Sequence, residues 1–138
     1  TDHAPHTKSD KAKTFDKAPF GVIGLETAFP LCHERLVLNS KLTLLQLVDL
    51  LSTKAYTIMG REGGTIQSGA RANLAIIDPQ LKWTYDAVNG FSKSQNSPFH
   101  GRQLTGKNLC TIYDGKVVYQ DNQYTDQRFK QRLTARNK

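Results

Sequence analysis

The sequence has little cysteine and no long hydrophobic run. Its two cysteines, Cys32 and Cys110, lie far apart and form no Cys-x-x-Cys pair. We therefore expect neither a disulfide framework nor a structural zinc site built from cysteines. No stretch approaches the roughly 20 apolar residues that a membrane helix needs. The polar first residues are also unlike a signal peptide, so the pattern favours a cytoplasmic protein without a membrane partner.

The positive charge of the chain has no nucleic-acid motif beside it. The formal net charge is +7, a value that can indicate binding to RNA or DNA. However, the lysines and arginines are scattered over residues 8–17 or gathered near the C-terminus, without RNA-binding aromatic motifs or zinc-finger spacing. We expect no nucleic-acid partner, and we interpret residues 120–138 as a basic, polar tail.

The first part of the chain is predicted to contain a loop and helices. Residues 1–24 show no period of 2 or 3.6 and predict a loop, whereas residues 25–38 could be helical, with a proline near the start. The clearest helix is expected over 43–51, where apolar residues recur at i, i+3, i+4 and i+7 as core packing. A shorter helix is expected over 53–59, closed by Gly60.

The second part is predicted to consist of short strands and turns. Residues 73–78 indicate a buried strand that ends at Pro79. Asp114-Gly115 between two apolar runs predicts a two-residue hairpin of type I′. Residues 92–98 are rich in serine and are expected to form an exposed loop. The period changes near residue 62, so three segments are predicted: 1–62, 63–119 and the tail.

Asp2, His3 and His6 form the cluster with the most chemical potential. An aspartate beside histidines can bind a metal or move protons. On spacing alone, this cluster is equally consistent with solvated residues at a chain end. We expect His33 and His100 to be structural or surface residues and both cysteines to be small buried hydrophobic residues.

The order of several motifs resembles that of dihydroorotases. The motifs are Thr-Asp-His-Ala-Pro-His (1–6), Ala-Pro-Phe-Gly (18–21) and Gly-Leu-Glu-Thr-Ala-Phe-Pro-Leu (24–31). Two later segments, 64–75 and 97–101, are similar to those of hydantoinases and allantoinases as well. The first group is therefore the more specific, and the later group indicates the wider cyclic amidohydrolase superfamily.

The resemblance implies a fold and a reaction. The fold would be α/β, with the C-terminal part of a (β/α)₈ TIM-like metal-dependent hydrolase barrel in residues 1–62. Part of a small β-sandwich domain would follow in residues 63–119. The reaction would be the zinc-dependent, reversible conversion of N-carbamoyl-L-aspartate to dihydroorotate in pyrimidine biosynthesis.

The resemblance also assigns roles to four residues. Asp2 would contact the zinc centre and act as the catalytic general base and acid. His6 would bind the substrate carboxylate, because an imidazole can donate a hydrogen bond to an anion. Phe20 and Gly21 would bind the substrate through their backbone, and His3 would serve packing.

The other metal ligands implied by the resemblance are missing from this sequence. It contains no His-x-His pair, and one aspartate cannot hold zinc alone. We therefore expect a C-terminal fragment that is inactive by itself and that forms homo-oligomers or self-associates to cover exposed apolar surface. The alternatives are an allantoinase or hydantoinase-type enzyme and a non-catalytic dihydroorotase-like partner protein.

Overall fold

The computed structural model describes residues 2–121 as a mixture of short helices and strands. The elements are α1 (Lys8–Lys11), α2 (Ala28–Cys32) continued by a π-helical turn (His33–Val37), α3 (Leu44–Val48) continued by a second π-helical turn (Asp49–Thr53), α4 (Lys54–Ile58), β1 (Leu74–Thr84), β2 (Gln103–Tyr113) and β3 (Lys116–Gln120). The α/β class expected from the sequence is observed. Within residues 2–121, no helix has the length and hydrophobicity required to span a bilayer.

The predicted loop of residues 1–24 contains one short helix. The hydroxyl of Thr7 accepts a hydrogen bond from the backbone N–H of Asp10, and this N-cap starts α1. A four-residue helix gives no apolar periodicity, which is why the sequence did not predict it. In the same segment, His3 and Val22 form an isolated parallel β-bridge that brings the two ends of the loop together.

Helix α2 and its π-helical turn replace the regular helix expected over residues 25–38. Pro30 lies in the first turn of α2, where its missing N–H removes no hydrogen bond. The N–H of Leu38 donates to the carbonyl of His33 at 3.0 Å, five residues earlier. The predicted position of the helix is confirmed, but the helix starts at Ala28 rather than at residue 25. In its π-helical turn the backbone hydrogen bonds span five residues instead of four.

The helical run of residues 44–58 starts with the predicted capping box. The hydroxyl of Thr43 accepts from the N–H of Gln46, and the side chain of Gln46 accepts from the N–H of Thr43. The run continues through the second π-helical turn into α4 and ends before Gly60, which has a φ of +61°. The two predicted helices are therefore one interrupted run, and glycine supplies the left-handed residue after it.

The apolar stripe of this run is buried at only one position. Leu47 is 1% exposed, whereas Val48 is 42% exposed and Leu51 is 44% exposed. A π-helical turn inserts an extra residue, so the side chains after Val48 are rotated away from the direction that a regular helix would give them. Leu47 is therefore buried as predicted, whereas Val48 and Leu51 are exposed, as we expect for the last helix of a barrel in a chain that lacks the rest of that barrel.

Strand β1 does not end at Pro79 but continues to Thr84, so it is longer than predicted. The three strands form one sheet in the order β1-β2-β3, so β1 lies at an edge of the sheet as described over residues 2–121. Proline cannot donate a ladder hydrogen bond, but an edge strand has one side on which no donor is needed. The edge position therefore explains how the strand passes the residue that was expected to end it.

The hairpin between β2 and β3 has the predicted turn. Asp114 and Gly115 have φ values of +50° and +78°, which is the pair of left-handed residues that a type I′ turn requires. Tyr113 pairs with Lys116 across the turn, and the register shifts between Thr111 and Ile112. The Asp-Gly prediction is confirmed, and the β-bulge is an additional feature.

Most buried apolar side chains belong to one cluster. It consists of Ile23, Tyr85, Ala87 and Leu104, with Leu31, Trp83 and Phe99 packed against it. The rings of Trp83 and Tyr85 meet edge to face at 5.9 Å, and the indole N–H of Trp83 donates to the carbonyl of Gly106. This cluster joins residues from the start of the chain to residues of the strand region.

The contacts divide the chain into two compact units. The described residues of the first unit are 2–64 and 79–107, and those of the second are 65–78 and 108–121. Residues 79–107 belong to the first unit because Tyr85 and Leu104 pack with Ile23, which a single division near residue 62 did not anticipate. The assignment of the three predicted segments to domains stays a prediction, and the tail lies outside the described residues beyond position 121.

The remaining histidine and cysteine predictions have mixed outcomes. His33 is 3% exposed and stacks on Phe29, and its Nδ1–H donates to the carbonyl of Thr105 at 3.2 Å, so its role is structural as predicted. Cys110 is buried as expected. Cys32 is only half-buried, which corrects the prediction for that residue.

Candidate functional site

The candidate site is a junction of three segments, residues 2–6, 20–25 and 95–97, all within the first unit. The first two segments run side by side. The N–H of Ala4 donates to the carbonyl of Val22 at 2.9 Å, next to the β-bridge between His3 and Val22. We call this region the three-segment junction. It brings His6 close to Phe20 and Gly21, three of the four residues to which the resemblance assigns a role.

His6 is fixed within the junction at both its backbone and its ring. Its N–H donates to Oδ1 of Asn96 at 3.2 Å, and its Nε2 lies 2.8 Å from the carbonyl oxygen of Phe20. A carbonyl oxygen only accepts, so Nε2 carries the proton. In the neutral ring the lone pair is therefore on Nδ1. Nδ1 can donate a hydrogen bond only in the charged ring, where both nitrogens carry a proton.

His3 has the same tautomer as His6 but makes its hydrogen bonds through the other ring nitrogen. Its Nδ1 accepts from the N–H groups of Gly24 and Leu25 at 3.1 and 3.4 Å. The neutral ring must then carry its proton on Nε2, so Nδ1 is occupied and Nε2 has no lone pair for a metal. This geometry agrees with the packing role predicted for His3.

Gly21 lies too close to the first segment for any larger residue. Its φ is +97°, and a Cβ built on it would lie 2.5 Å from Cβ of Ala4. Both the left-handed backbone and the close approach require glycine. Phe20 exposes 87% of its surface, so its contribution to the junction is made by its backbone rather than by its ring.

Asn96 is a junction residue that the sequence did not single out. Its Nδ2 donates to the carbonyls of Ala4 and Gly21 at 2.8 and 3.3 Å, and its own carbonyl accepts from the N–H of Ile23 at 3.1 Å. Residues 92–98 were predicted to be exposed, but Asn96 and most of its neighbours are half-buried. Asparagine side chains often form hydrogen bonds with backbone groups. The sequence, however, does not indicate which groups 75 and 92 residues away are the partners of Asn96.

Lys11 supports the second segment from α1. Its Nζ donates to the carbonyls of Pro19 and Gly21 at 3.0 and 3.3 Å. The ammonium group therefore contacts backbone oxygens rather than a carboxylate. In the sequence, this lysine is one of several scattered positive charges over residues 8–17.

An open cleft of about 500 Å³ adjoins the junction. Its lining includes His6, Lys8, Lys11, Asn96 and His100, and no aspartate or glutamate is among the lining residues. These cationic and polar side chains suit an anionic ligand. Asp2, Phe20 and Gly21 do not line this cleft, so the structure places only His6 of the predicted site residues there.

Two exposed carboxylates act electrostatically on the histidines of the cleft. Hydrogen bonds from Lys13 and Thr7 lower the pKa of Asp10, which interacts with His6. A hydrogen bond from Asn89 and the N–H of Val88 lower the pKa of Asp86, which interacts with His100. Both carboxylates thus stay ionised and each adds a negative charge near one imidazole.

His100 is held at the surface by a backbone contact. Its Nδ1 accepts from the N–H of Ala87 at 3.2 Å, and Asp86 lies 3.5 Å away. The ring is exposed, in agreement with the predicted surface role. In the neutral ring the proton is therefore on Nε2, the same tautomer as in His3.

Asp2 is exposed and has a φ of +46°. A left-handed backbone is tolerated better by aspartate and asparagine than by most residues. Among residues 2–121, no group of three histidine, cysteine, aspartate or glutamate side chains could hold a metal ion. Residues 2–121 therefore place no group of three ligands around Asp2 and do not form a zinc site by themselves.

The chain has clear relatives among enzymes of known sequence. It is 44% identical over 119 residues to a dihydroorotase of Solibacter usitatus, covering 86% of this chain and 28% of that protein. A dihydroorotase of Clostridium acetobutylicum is 45% identical over 121 residues, covering 88% and 28%. The chain is a homologue of dihydroorotases, in the cyclic amidohydrolase superfamily. This dihydroorotase homologue thus spans about 28% of the length of these curated relatives.

Solved structures similar to this dihydroorotase homologue include hydantoinases and dihydropyrimidinases. A dihydropyrimidinase from Brevibacillus agri superposes with a TM-score of 0.80 at 27% identity, covering 91% of this chain and 28% of that one. An L-hydantoinase from Arthrobacter aurescens superposes with a TM-score of 0.68 at 34% identity, covering 75% and 24%. No protein-family model matches the chain. The resemblance stated from the motifs is therefore confirmed, whereas the role of each site residue stays a prediction.

Proposed function

We propose that this chain is the C-terminal portion of a dihydroorotase, a longer protein called the parent protein below. The parent protein would interconvert N-carbamoyl-L-aspartate and dihydroorotate. The observation that carries the proposal is the convergence of His6 with Phe20 and Gly21, since Nε2 of His6 lies 2.8 Å from the Phe20 carbonyl. These are the residues that the motif resemblance assigns to substrate binding. Their proximity supports a common role in binding one substrate.

We assign proton transfer to Asp2. Its carboxylate is exposed and its left-handed backbone places it at the start of the first segment of the junction. An ionised carboxylate can accept a proton from water and return it to the amide nitrogen of the leaving group. Zinc, when bound in the parent protein, would supply Lewis acidity. Its ligands other than Asp2 would come from outside residues 2–121.

We assign His6 to the substrate carboxylate in its charged form. The neutral ring uses Nε2–H for the Phe20 carbonyl and leaves a lone pair on Nδ1, which would repel an anion. Protonation of Nδ1 gives a second N–H and a positive charge, and a charge-assisted hydrogen bond is stronger than a neutral one. Substrate binding through His6 would thus require its imidazolium form.

We assign Phe20 and Gly21 to backbone contacts with the substrate through their N–H groups. The carbonyl of Phe20 already accepts from His6, and that of Gly21 accepts from Asn96 and Lys11. The N–H groups of this pair donate to no other residue in the described part of the chain. Amides in this position could bond a carbonyl of the substrate ring without any change in the junction.

The proposed fold of the parent protein is a (β/α)₈ barrel with a small β-sandwich domain. Residues 1–62 would complete the barrel, and residues 63–119 would contribute to the β-domain. The exposure of Val48 and Leu51 supports this proposal, since the rest of a barrel would cover such apolar side chains. Self-association of the chain would cover them equally and stays a second possibility.

A substrate panel on the parent protein tests the proposed activity. We expect turnover of N-carbamoyl-L-aspartate or dihydroorotate and much slower turnover of hydantoin and allantoin. Asp2→Asn keeps the left-handed backbone and should lower kcat by about 100- to 10 000-fold, the usual contribution of a general base. Asp16→Asn changes another exposed aspartate of the same predicted loop and should leave kcat unchanged. Equal activity of both variants would refute the assignment of Asp2.

A hydantoinase or allantoinase activity is the second candidate. Solved structures similar to this chain include a dihydropyrimidinase and an L-hydantoinase, with TM-scores of 0.80 and 0.68. Preferred turnover of hydantoin or allantoin would establish that candidate in place of the first. A folded parent protein without turnover of any compound in the panel would indicate a non-catalytic dihydroorotase-like partner.

A further inference from the structure

The side chain of Asn96 uses both of its functional ends inside the three-segment junction. Nδ2 donates to the carbonyls of Ala4 and Gly21, and Oδ1 accepts from the N–H of His6. In addition, the backbone carbonyl of Asn96 accepts from Ile23. One residue thus fixes both segments that carry the predicted substrate-binding groups.

These contacts determine where His6 and Gly21 lie relative to each other. The ring of His6 reaches the Phe20 carbonyl only if the backbones of the first and second segments keep their separation. Asn96 bonds the first segment on both sides of Pro5 and the second segment at Gly21. A shift of either backbone would break the contact between the ring and the Phe20 carbonyl and free Nε2.

We propose that Asn96 is a positioning residue of the active site, which orients the imidazole of His6 and the backbone of Gly21 for substrate binding. It acts through these two residues and does not itself contact the reacting atoms. The proposal rests on the proposed function for its kinetic consequence. The structural consequence of the proposal is that Asn96 keeps the proton of the neutral His6 ring on Nε2. This consequence can be measured without any enzyme activity.

The Asn96→Asp variant tests this proposal with little change in shape. The carboxylate can still accept from the N–H of His6, but it replaces the Nδ2 donor by an oxygen beside two carbonyl oxygens. In the parent protein, we expect KM to rise by about tenfold or more while kcat changes less, because binding groups are displaced. Asn39→Asp makes the same chemical change at an exposed position and should leave both constants unchanged.

A second variant separates positioning from general stability. If Asn96 acts through His6, the Asn96→Asp substitution should have a smaller effect on KM in a His6→Ala background, because residues in one network are not additive. The same fold-change in both backgrounds would overturn the orientation of His6 by Asn96, and an unchanged KM in the single variant would overturn the whole proposal. Asn96→Ser, which adds no charge, takes the place of Asn96→Asp if that variant does not fold.

Nitrogen-15 NMR of the His6 ring gives a result that does not depend on turnover. We expect Nε2 to carry the proton in the parent protein and the tautomer to change or become mixed in Asn96→Asp. An unchanged Nε2–H tautomer in the variant would overturn the proposal even if the enzyme is active. A changed tautomer in a protein without dihydroorotase activity would refute the proposed function and retain the positioning role.

Discussion

Gly21→Ala is the substitution whose effect follows most directly from the geometry of the junction. The new methyl group would lie 2.5 Å from Cβ of Ala4, with the next nearest atoms of Ala4 and His6 at 4.0 Å. Real Cβ atoms do not approach so closely, so one of the two backbone segments has to move. The φ of +97° adds a second cost, because alanine rarely adopts a left-handed backbone.

The expected loss of stability has two parts. A left-handed backbone costs alanine about 1–2 kcal/mol, and the forced contact in a packed region costs about 1–3 kcal/mol. We therefore expect the free energy of unfolding to fall by about 2–5 kcal/mol. Because the displaced segments carry His6 and the Phe20 carbonyl, substrate binding should weaken as well.

Urea unfolding of the parent protein, followed by circular dichroism, measures this loss. Gly101→Ala is the matched control, since Gly101 has a φ of +76° and nothing lies within 4 Å of its built Cβ. It should lose only the backbone part, about 1–2 kcal/mol. In the Gly21→Ala protein, Ala4→Gly removes the opposing methyl group and should restore the steric part.

Two results would refute this reasoning. One is a Gly21→Ala protein that is no less stable than the Gly101→Ala control, which would mean that the contact with Ala4 is absent. The other is a double variant, Ala4→Gly with Gly21→Ala, that is no more stable than Gly21→Ala alone. The coupling energy from the four proteins of this cycle isolates the contact, since the two residues touch directly.

Two further predictions concern stability away from the junction. Thr43→Ala removes the capping box of α3 and should lower the free energy of unfolding by about 1 kcal/mol. Urea unfolding measures this loss, and an unchanged free energy would show that the cap is not formed. Burial raises the pKa of the Tyr85 hydroxyl. The unfolded protein therefore releases this proton at a lower pH than the folded protein does. The corresponding stability is fully present below pH about 10 and is lost as the pH rises further. Tyr85→Phe should show a smaller alkaline loss in thermal unfolding between pH 8 and 11; an equal loss would contradict the assignment.

Local structure was predictable from the sequence where short-range chemistry determines it. The capping box at Thr43 and Gln46 and the Asp114-Gly115 turn depend on neighbours within a few residues, and both are confirmed. Pro79 misled the prediction, because the sequence does not state that β1 lies at a sheet edge. The π-helical turns were missed for a similar reason, since the apolar period assumes a regular helix.

The sequence indicated some residues of the junction but not the hydrogen bonds that connect its segments. The motifs named His6, Phe20 and Gly21, and the structure brings them together. Asn96 and Lys11 were missed because their partners are backbone carbonyls, which have no signature in the sequence. A hydrogen bond to a main-chain oxygen can be formed by any asparagine or lysine that the fold carries to the right place.

The distance along the chain between His6 and Asn96 has a consequence for synthesis on the ribosome. The two residues are 90 positions apart, and at about 5–20 residues per second the second follows the first after roughly 4.5–18 s. During that interval the first two segments can approach each other, but the N–H of His6 and the carbonyls of Ala4 and Gly21 lack their asparagine partner. The junction is therefore completed only after Asn96 has been synthesised, and until then these backbone groups form their hydrogen bonds with water.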